Sequence, residues 1–187
     1  MMADLDVPQR RLDWAEGLQV DPDSTTCYFV GCLPIFDHVF SHTESTSTAR
    51  NTLSILNRLN VRPALFQEEK CCGYDSYWTG DEETYRKLAR HNIAIFQQRK
   101  IDRIVTSCPE CYIALKFLYP SLESSFQPEV VHLSQFLVQQ IQAGKLKFKE
   151  VTKRVTYHDP CRLGRIAREY EAPRTILKAI PGLELIE

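Results

Sequence analysis

The sequence carries almost no excess of charge: 23 Lys and Arg stand against 24 Asp and Glu, a formal net charge of −1. Without a basic face to neutralise phosphates, it makes no case for nucleic acid as a partner. Long hydrophobic runs are missing as well. The most apolar stretches, such as "CYFVGCLPIF", fall far short of the ~20 residues that a membrane-spanning helix needs. The opening "MMADLDVPQRR" has an early acid and no apolar segment of the kind that directs secretion. The expectation is a cytoplasmic protein, reaching the inner face of a membrane only through a partner subunit.

Cysteine, by contrast, is plentiful, with seven residues. In a reducing compartment such residues are more often metal ligands or redox groups than disulfides. Their placement follows the chain's alternation of strands and helices. Residues 1–24 are polar and read as an arm or linker, with a short helix around Leu12 to Leu18. "TTCYFVGC" (25–32) is nearly continuous in its apolar character, as a strand covered on both faces would be. Helical spacing follows, up to Leu59, and "RPALFQ" (62–67) reads as a second strand. Thr79 and Glu82 fit a capping box, and Tyr85, Leu88, Ala89, Ile93 and Phe96 form one apolar stripe. "DRIVTSC" (102–108) is a third strand, "EVVHL" a short fourth before the helix "SQFLVQQIQAG", and "RVTYHDPC" (154–161) a fifth before a helical "RLGRIAREYEAPRTILKAI".

This order predicts an α/β fold of parallel-sheet βαβ units, Rossmann-like in plan, with right-handed crossovers. Cys32, Cys71 with Cys72, Cys108 and Cys161 each follow the end of a predicted strand, at the sheet edge where open α/β folds bind ligands. "CPEC" alone would fit a thioredoxin-like dithiol of Cys108 and Cys111 at a helix N-terminus. That motif leaves Cys32 and the CC pair unexplained, and the four segments together point to metal. Zinc prefers two close ligand pairs, and only one is present. Adjacent cysteines, whose side chains diverge in extended backbone, suit a site with several irons better.

One cysteine, then CCG, then CxxC, at intervals of 38 and 35 residues, resembles the cysteine-rich CCG domain. That family includes the catalytic subunits of heterodisulfide reductase (D and B types) and related iron–sulfur oxidoreductases. "YFVGC", "EEKCCG", "TSCPECY" and "VTYHDPCRLGR" carry the likeness, which covers residues 25 to 187. The resemblance implies that Cys32, Cys71, Cys72, Cys108 and Cys111 hold a noncubane [4Fe–4S] cluster, or in some members a zinc. It implies reduction of a small disulfide, or a place in a hydroxy-acid pathway, with iron–sulfur, flavin or membrane cytochrome subunits as partners. Residues 25–150 would form a first CCG domain and residues 151–187 the start of a second, incomplete one, with Cys161 as its first cysteine. The expectation is therefore a truncated chain, the last segment docking as an added edge on the first unit.

The remaining candidates read as structural. Cys27, at an odd offset from Cys32, is expected on the opposite face as a buried thiol. His38, His42, His91 and His132 share no metal spacing, and His158 reads as a loop histidine beside Cys161. Tyr74, Tyr77 and Trp78 are expected to pack beneath the CC loop. Arg162 and Arg165 are candidates for contact with an anionic substrate. The alternatives to a reductase are a zinc- or cluster-stapled relay module and a dithiol enzyme.

Overall fold

The computed structural model describes residues 11–40 and 43–187; His42 and the side chain of His38 lie outside the described residues. Three parallel strands form the centre: β1 (Thr26–Phe29), β2 (Arg103–Thr106) and β3 (Glu129–His132), ordered β1-β2-β3. Cys27 pairs with Ile104, which pairs in turn with Val130. Side chains alternate across a strand, and both faces are covered. Cys27, Phe29, Ile104 and Val130 enter one core, and Tyr28, Val30, Val105 and Val131 enter the other. The parallel-sheet α/β architecture is thus as the strand runs imply.

The predicted strand 62–67 shrinks to one parallel bridge, Cys27 to Ala64. Pro63, with no N–H to offer a ladder, immediately precedes it. The bridge still places this segment alongside β1, with Tyr28 N–H donating to Ala64 O at 3.2 Å and Ala64 N–H to Thr26 O at 2.8 Å. The chain therefore leaves the same sheet edge as the true strands on its way to Cys71.

Helices fill the crossovers. The helical stretch before Leu59 is two helices, α1 (Leu33–Val39) and α2 (Ser45–Arg58). The Asp37 carboxylate caps α2 by accepting the Ser45 and Thr46 N–H groups, each at 2.7 Å. The short α3 (Tyr74–Thr79) ends at Gly80, left-handed at φ +85°. That break moves the start of α4 (Glu82–Gln98) past the predicted Thr79 cap: Asp81 is the N-cap and accepts the Thr84 N–H at 3.1 Å. A continuous helical run then passes from α5 (Pro109–Ile113) through a π-helical turn (Ala114–Leu118) into α6 (Tyr119–Leu122). After β3, α7 (Leu133–Gln142) is capped by the His132 ring, which meets the Ser134 N–H.

The segment before β1 is bound down where it is described. A single 3-10 turn (Asp13–Ala15) buries Trp14 edge-on against Tyr28, with ring centroids 6.2 Å apart. Arg50 of α2 donates to the Trp14 carbonyl.

The last segment differs from expectation. β4 (Lys153–Thr156) pairs in parallel with a strand not foreseen, β5 (Leu183–Ile186), in a separate two-stranded sheet. It adds no edge to β1–β3. The predicted long helix breaks into a π-helical turn (Arg162–Ile166) and α8 (Glu171–Lys178), with Arg168 left-handed at φ +55° between them. Glu169 then caps α8 through the Ala172 N–H at 2.9 Å. Among the described residues no helix is long and apolar enough to cross a membrane.

Candidate metal centre

Five thiols meet at the C-terminal edge of the first sheet. Cys32 is the N-cap of α1 and Cys108 the N-cap of α5, each followed by proline in the first turn. Cys111 lies one turn into α5, and Cys71 with Cys72 sits in the loop that leaves the Ala64 bridge. The sulfurs form a row. Cys32 Sγ lies 3.2 Å from Cys71 Sγ. Cys71 also bonds to Cys72, Cys72 to Cys111, and Cys111 to Cys108. These are the five residues singled out in the sequence. Among the described residues no three or more His, Cys, Asp or Glu side chains converge on one point to hold a single metal ion.

The row is electrostatically uneven. Cys71 accepts hydrogen bonds from Cys32 and Cys72, and further from the Gly73 N–H at 3.5 Å, and its thiol is pulled down to about 3. Cys108 is lowered too, by the bond from Cys111 and then by the N–H groups of Cys111 and Glu110. Cys32 and Cys111 are raised, first because they donate those bonds and then by burial. For Cys72 the bond from Cys111 pulls downward, but the bond to Cys71 and burial outweigh it. The thiolate is the form that binds metal, and within the row the surroundings favour it at Cys71 and Cys108.

Gly31 tests whether the row has room to spare. At φ +63°, it lies so close that a Cβ there would stand 2.8 Å from Cys111 Sγ. Backbone therefore forms one wall of the sulfur site, and only glycine allows it. An all-sulfur donor set with two favoured thiolates in such a cradle fits an iron–sulfur group.

Two contributors escaped the sequence reading. Glu69, 4% exposed, accepts the Gly31 N–H at 2.8 Å and pairs with Arg11 at 2.8 Å. Arg11 also donates to the Gly31 carbonyl. This pair ties the Cys32 loop to the Cys71 loop. Burial raises the Glu69 carboxyl, and Arg11 and the Gly31 and Val30 N–H groups oppose that rise. An acid two positions before the CC pair is a visible signal for Glu69; nothing local marks Arg11.

The mouth of the site is built from the last segment. Arg162 lies over Tyr74 and Trp78, at 5.2 and 5.6 Å from the ring centroids, and pairs with Glu110 at 3.5 Å. Cys161 beside it is exposed and free, outside the row. Tyr74 packs beneath the loop as expected, but Tyr77 and Trp78 are exposed. Arg165 and His158 instead line a cavity of about 360 Å³ with Tyr157, Asp159 and Tyr170. His91 bonds to the Glu68 carbonyl at 2.7 Å, and His132 caps its helix, so neither joins the thiols. Cys27 is fully buried in the same core as Cys72 and Cys111, not on the opposite face, because Cys32 lies beyond the strand and its alternation no longer applies.

Comparison with known proteins shows what the chain is similar to. The profile of the CCG cysteine-rich domain matches residues 26–116 and 155–187. The chain is 35% identical over 184 residues to the D-type chain of the dihydromethanophenazine:CoB–CoM heterodisulfide reductase of Methanosarcina barkeri, covering 95% of this chain and 43% of that one. It is 34% identical to an uncharacterized iron–sulfur protein of Methanocaldococcus jannaschii (86% of this chain, 30% of the relative). It is 33% identical to an EtfAB:quinone oxidoreductase of Syntrophomonas wolfei (82% and 21%). The chain thus spans less than half the length of these relatives. No solved structure matches it.

Proposed function

The chain belongs to the CCG cysteine-rich domain family, and from that premise we propose that it is an iron–sulfur redox module whose row of five thiols holds a noncubane [4Fe–4S] cluster. The observation that carries the reading is the row itself: Cys32, Cys71, Cys72, Cys111 and Cys108 in unbroken contact. Sulfurs strung along a line reach several irons more readily than one ion, which explains why adjacent cysteines are useful here. Residues 25–150 act as the cluster-binding domain, and residues 151–187 belong to a second, similar unit. The separate profile match from residue 155 supports that division.

When bound, such a cluster supplies single-electron transfer. The protein's own part is to present Cys71 and Cys108 as thiolates, to hold the cradle shut through Glu69 and Arg11, and to close the mouth with Arg162. The reaction we assign is reduction of a small disulfide, which takes up two electrons and two protons and leaves two thiols. The electrons arrive through iron–sulfur, flavin or cytochrome partners of a redox complex. The names of the relatives, a heterodisulfide reductase component and an EtfAB:quinone oxidoreductase, support a place in such a complex.

Anaerobic reconstitution tests the reading. About four irons and four sulfides per chain, with brown absorption, are expected, and serine at Cys71 or Cys72 should each lower that content. Stoichiometric zinc without iron would mean a stapled module. Thiol–disulfide exchange that survives loss of the CC pair would mean a dithiol enzyme of Cys108 and Cys111.

A further inference from the structure

One side chain on the buried face of α4 is out of keeping with its neighbours. Asn92 lies in the stripe of Tyr85, Leu88, Ala89, Ile93 and Phe96 and has no exposed surface. A buried amide is costly unless its polar atoms are partnered. Here the partners converge on the cysteine loop. Asn92 Oδ1 accepts the Lys70 N–H at 3.0 Å. Its Nδ2 donates to the carbonyls of Lys70 and Cys71, at 3.2 and 3.1 Å, and to the Tyr119 hydroxyl at 3.1 Å. That hydroxyl, fully buried as well, donates to the Cys72 carbonyl at 3.2 Å.

Three consecutive carbonyls therefore turn toward one clamp in the core. In extended backbone successive groups alternate, and adjacent side chains point apart. A loop held in this other conformation can aim both sulfurs along one line. Cys71 then meets Cys32, and Cys72 meets Cys111.

We infer that Asn92, assisted by Tyr119, is the positioning residue of the thiol row, fixing the backbone of Lys70, Cys71 and Cys72 so that two adjacent cysteines serve one site. The inference rests on the cluster reading proposed above, though the geometry of the clamp does not depend on it. Their hydrogen bonds to the cysteine loop run to its main chain, so both act through the backbone.

The test compares Asn92→Ser and Tyr119→Phe with the unaltered chain, and with Thr52→Val as a buried polar control on α2. After anaerobic reconstitution, both clamp variants are expected to release iron to a chelator about tenfold faster, in keeping with the effect of residues that orient metal ligands. Their reduced electron-paramagnetic-resonance spectra should shift, whereas Thr52→Val should match the unaltered chain in both. If Asn92→Ser does not fold, Tyr119→Phe, which loses one hydroxyl and no bulk, decides. Clamp variants that melt earlier yet keep the release rate and the spectrum would overturn the inference and leave Asn92 a core residue only. If the unaltered chain takes up no iron, the proposed function fails by itself. The inference is then read from mild oxidation of the metal-free protein: a Cys32–Cys71 disulfide should dominate in the unaltered chain and be lost in Tyr119→Phe, and identical products in both would overturn it.

Discussion

Replacing Gly31 with alanine separates two costs that usually arrive together. The first is conformational: alanine at φ +63° loses roughly 1–2 kcal/mol to left-handed backbone. The second is steric. The new Cβ would stand 2.8 Å from Cys111 Sγ, well inside the 3.4 Å at which ordinary contact begins, and overpacking of that kind costs about 1–3 kcal/mol. Together they predict a loss of about 3 kcal/mol in urea unfolding. Gly17 provides the comparison, because it is left-handed at φ +79° with nothing within 4 Å of a Cβ. Gly17→Ala should therefore lose only the conformational part, roughly 1 kcal/mol, and should leave cluster content alone. Gly31→Ala should also lower iron content, since relief requires Cys111 to move. A double-mutant cycle with Cys111→Ala isolates the steric part, expected as a coupling of about 1–3 kcal/mol. Equal stability losses at Gly31 and Gly17, with zero coupling to Cys111, would refute the idea that backbone walls the sulfur site.

Three further outcomes follow from the packing. Glu69→Gln leaves Arg11 buried without its carboxylate (the pair's side chains are 10% and 2% exposed) and should cost about 3 kcal/mol in urea unfolding; a loss under ~0.5 kcal/mol would show that the two loops are not held by this pair. Trp14→Ala removes a ring that is 6% exposed and rests on Tyr28, so roughly 3 kcal/mol should be lost, and an unchanged melting temperature would mean that the arm contributes nothing. Burial lowers the His132 imidazole from its ordinary 6.5, so below that pH the unfolded chain takes up a proton that the folded chain refuses. Stability should fall as the pH drops from 6.5 toward the lower folded value and then level off, with His132→Gln flattening that slope; parallel profiles for the two proteins would exclude His132 as the cause.

What could be read from the sequence followed from local signals. β1 and β2 announce themselves as apolar runs, and each is followed closely by a cysteine that the fold then delivers to one edge. The α4 stripe is visible because five apolar residues recur at helical spacing. The failures are non-local or stem from single residues. Pro63 reduced a strand to a bridge, and Gly80 moved a cap from Thr79 to Asp81. Arg11 and Glu69 are separated by 58 positions, and no spacing rule joins them. Strand β5 follows a Pro-Gly turn and gains meaning only once β4 lies beside it. Asn92 is a visible irregularity, since an amide inside an otherwise apolar stripe breaks the local pattern, and such breaks tend to fall at functional positions.

The thiol row joins loops far apart in the chain, and this imposes an order in time. Cys32 leaves the ribosome 79 residues ahead of Cys111, as their numbers give, an interval of roughly 4–16 s at ordinary rates of synthesis. For most of that interval β2 and α5 are not yet made to shelter the first three sulfurs of the row, and a nascent Cys71 has Cys32 and Cys72 for company but no completed cradle. Oxidant met in those seconds would trap a disulfide that the finished fold then has to accommodate. If the row holds the proposed cluster, the chain has to stay reduced until its last cysteine is in place, and iron delivered earlier would find only part of the site.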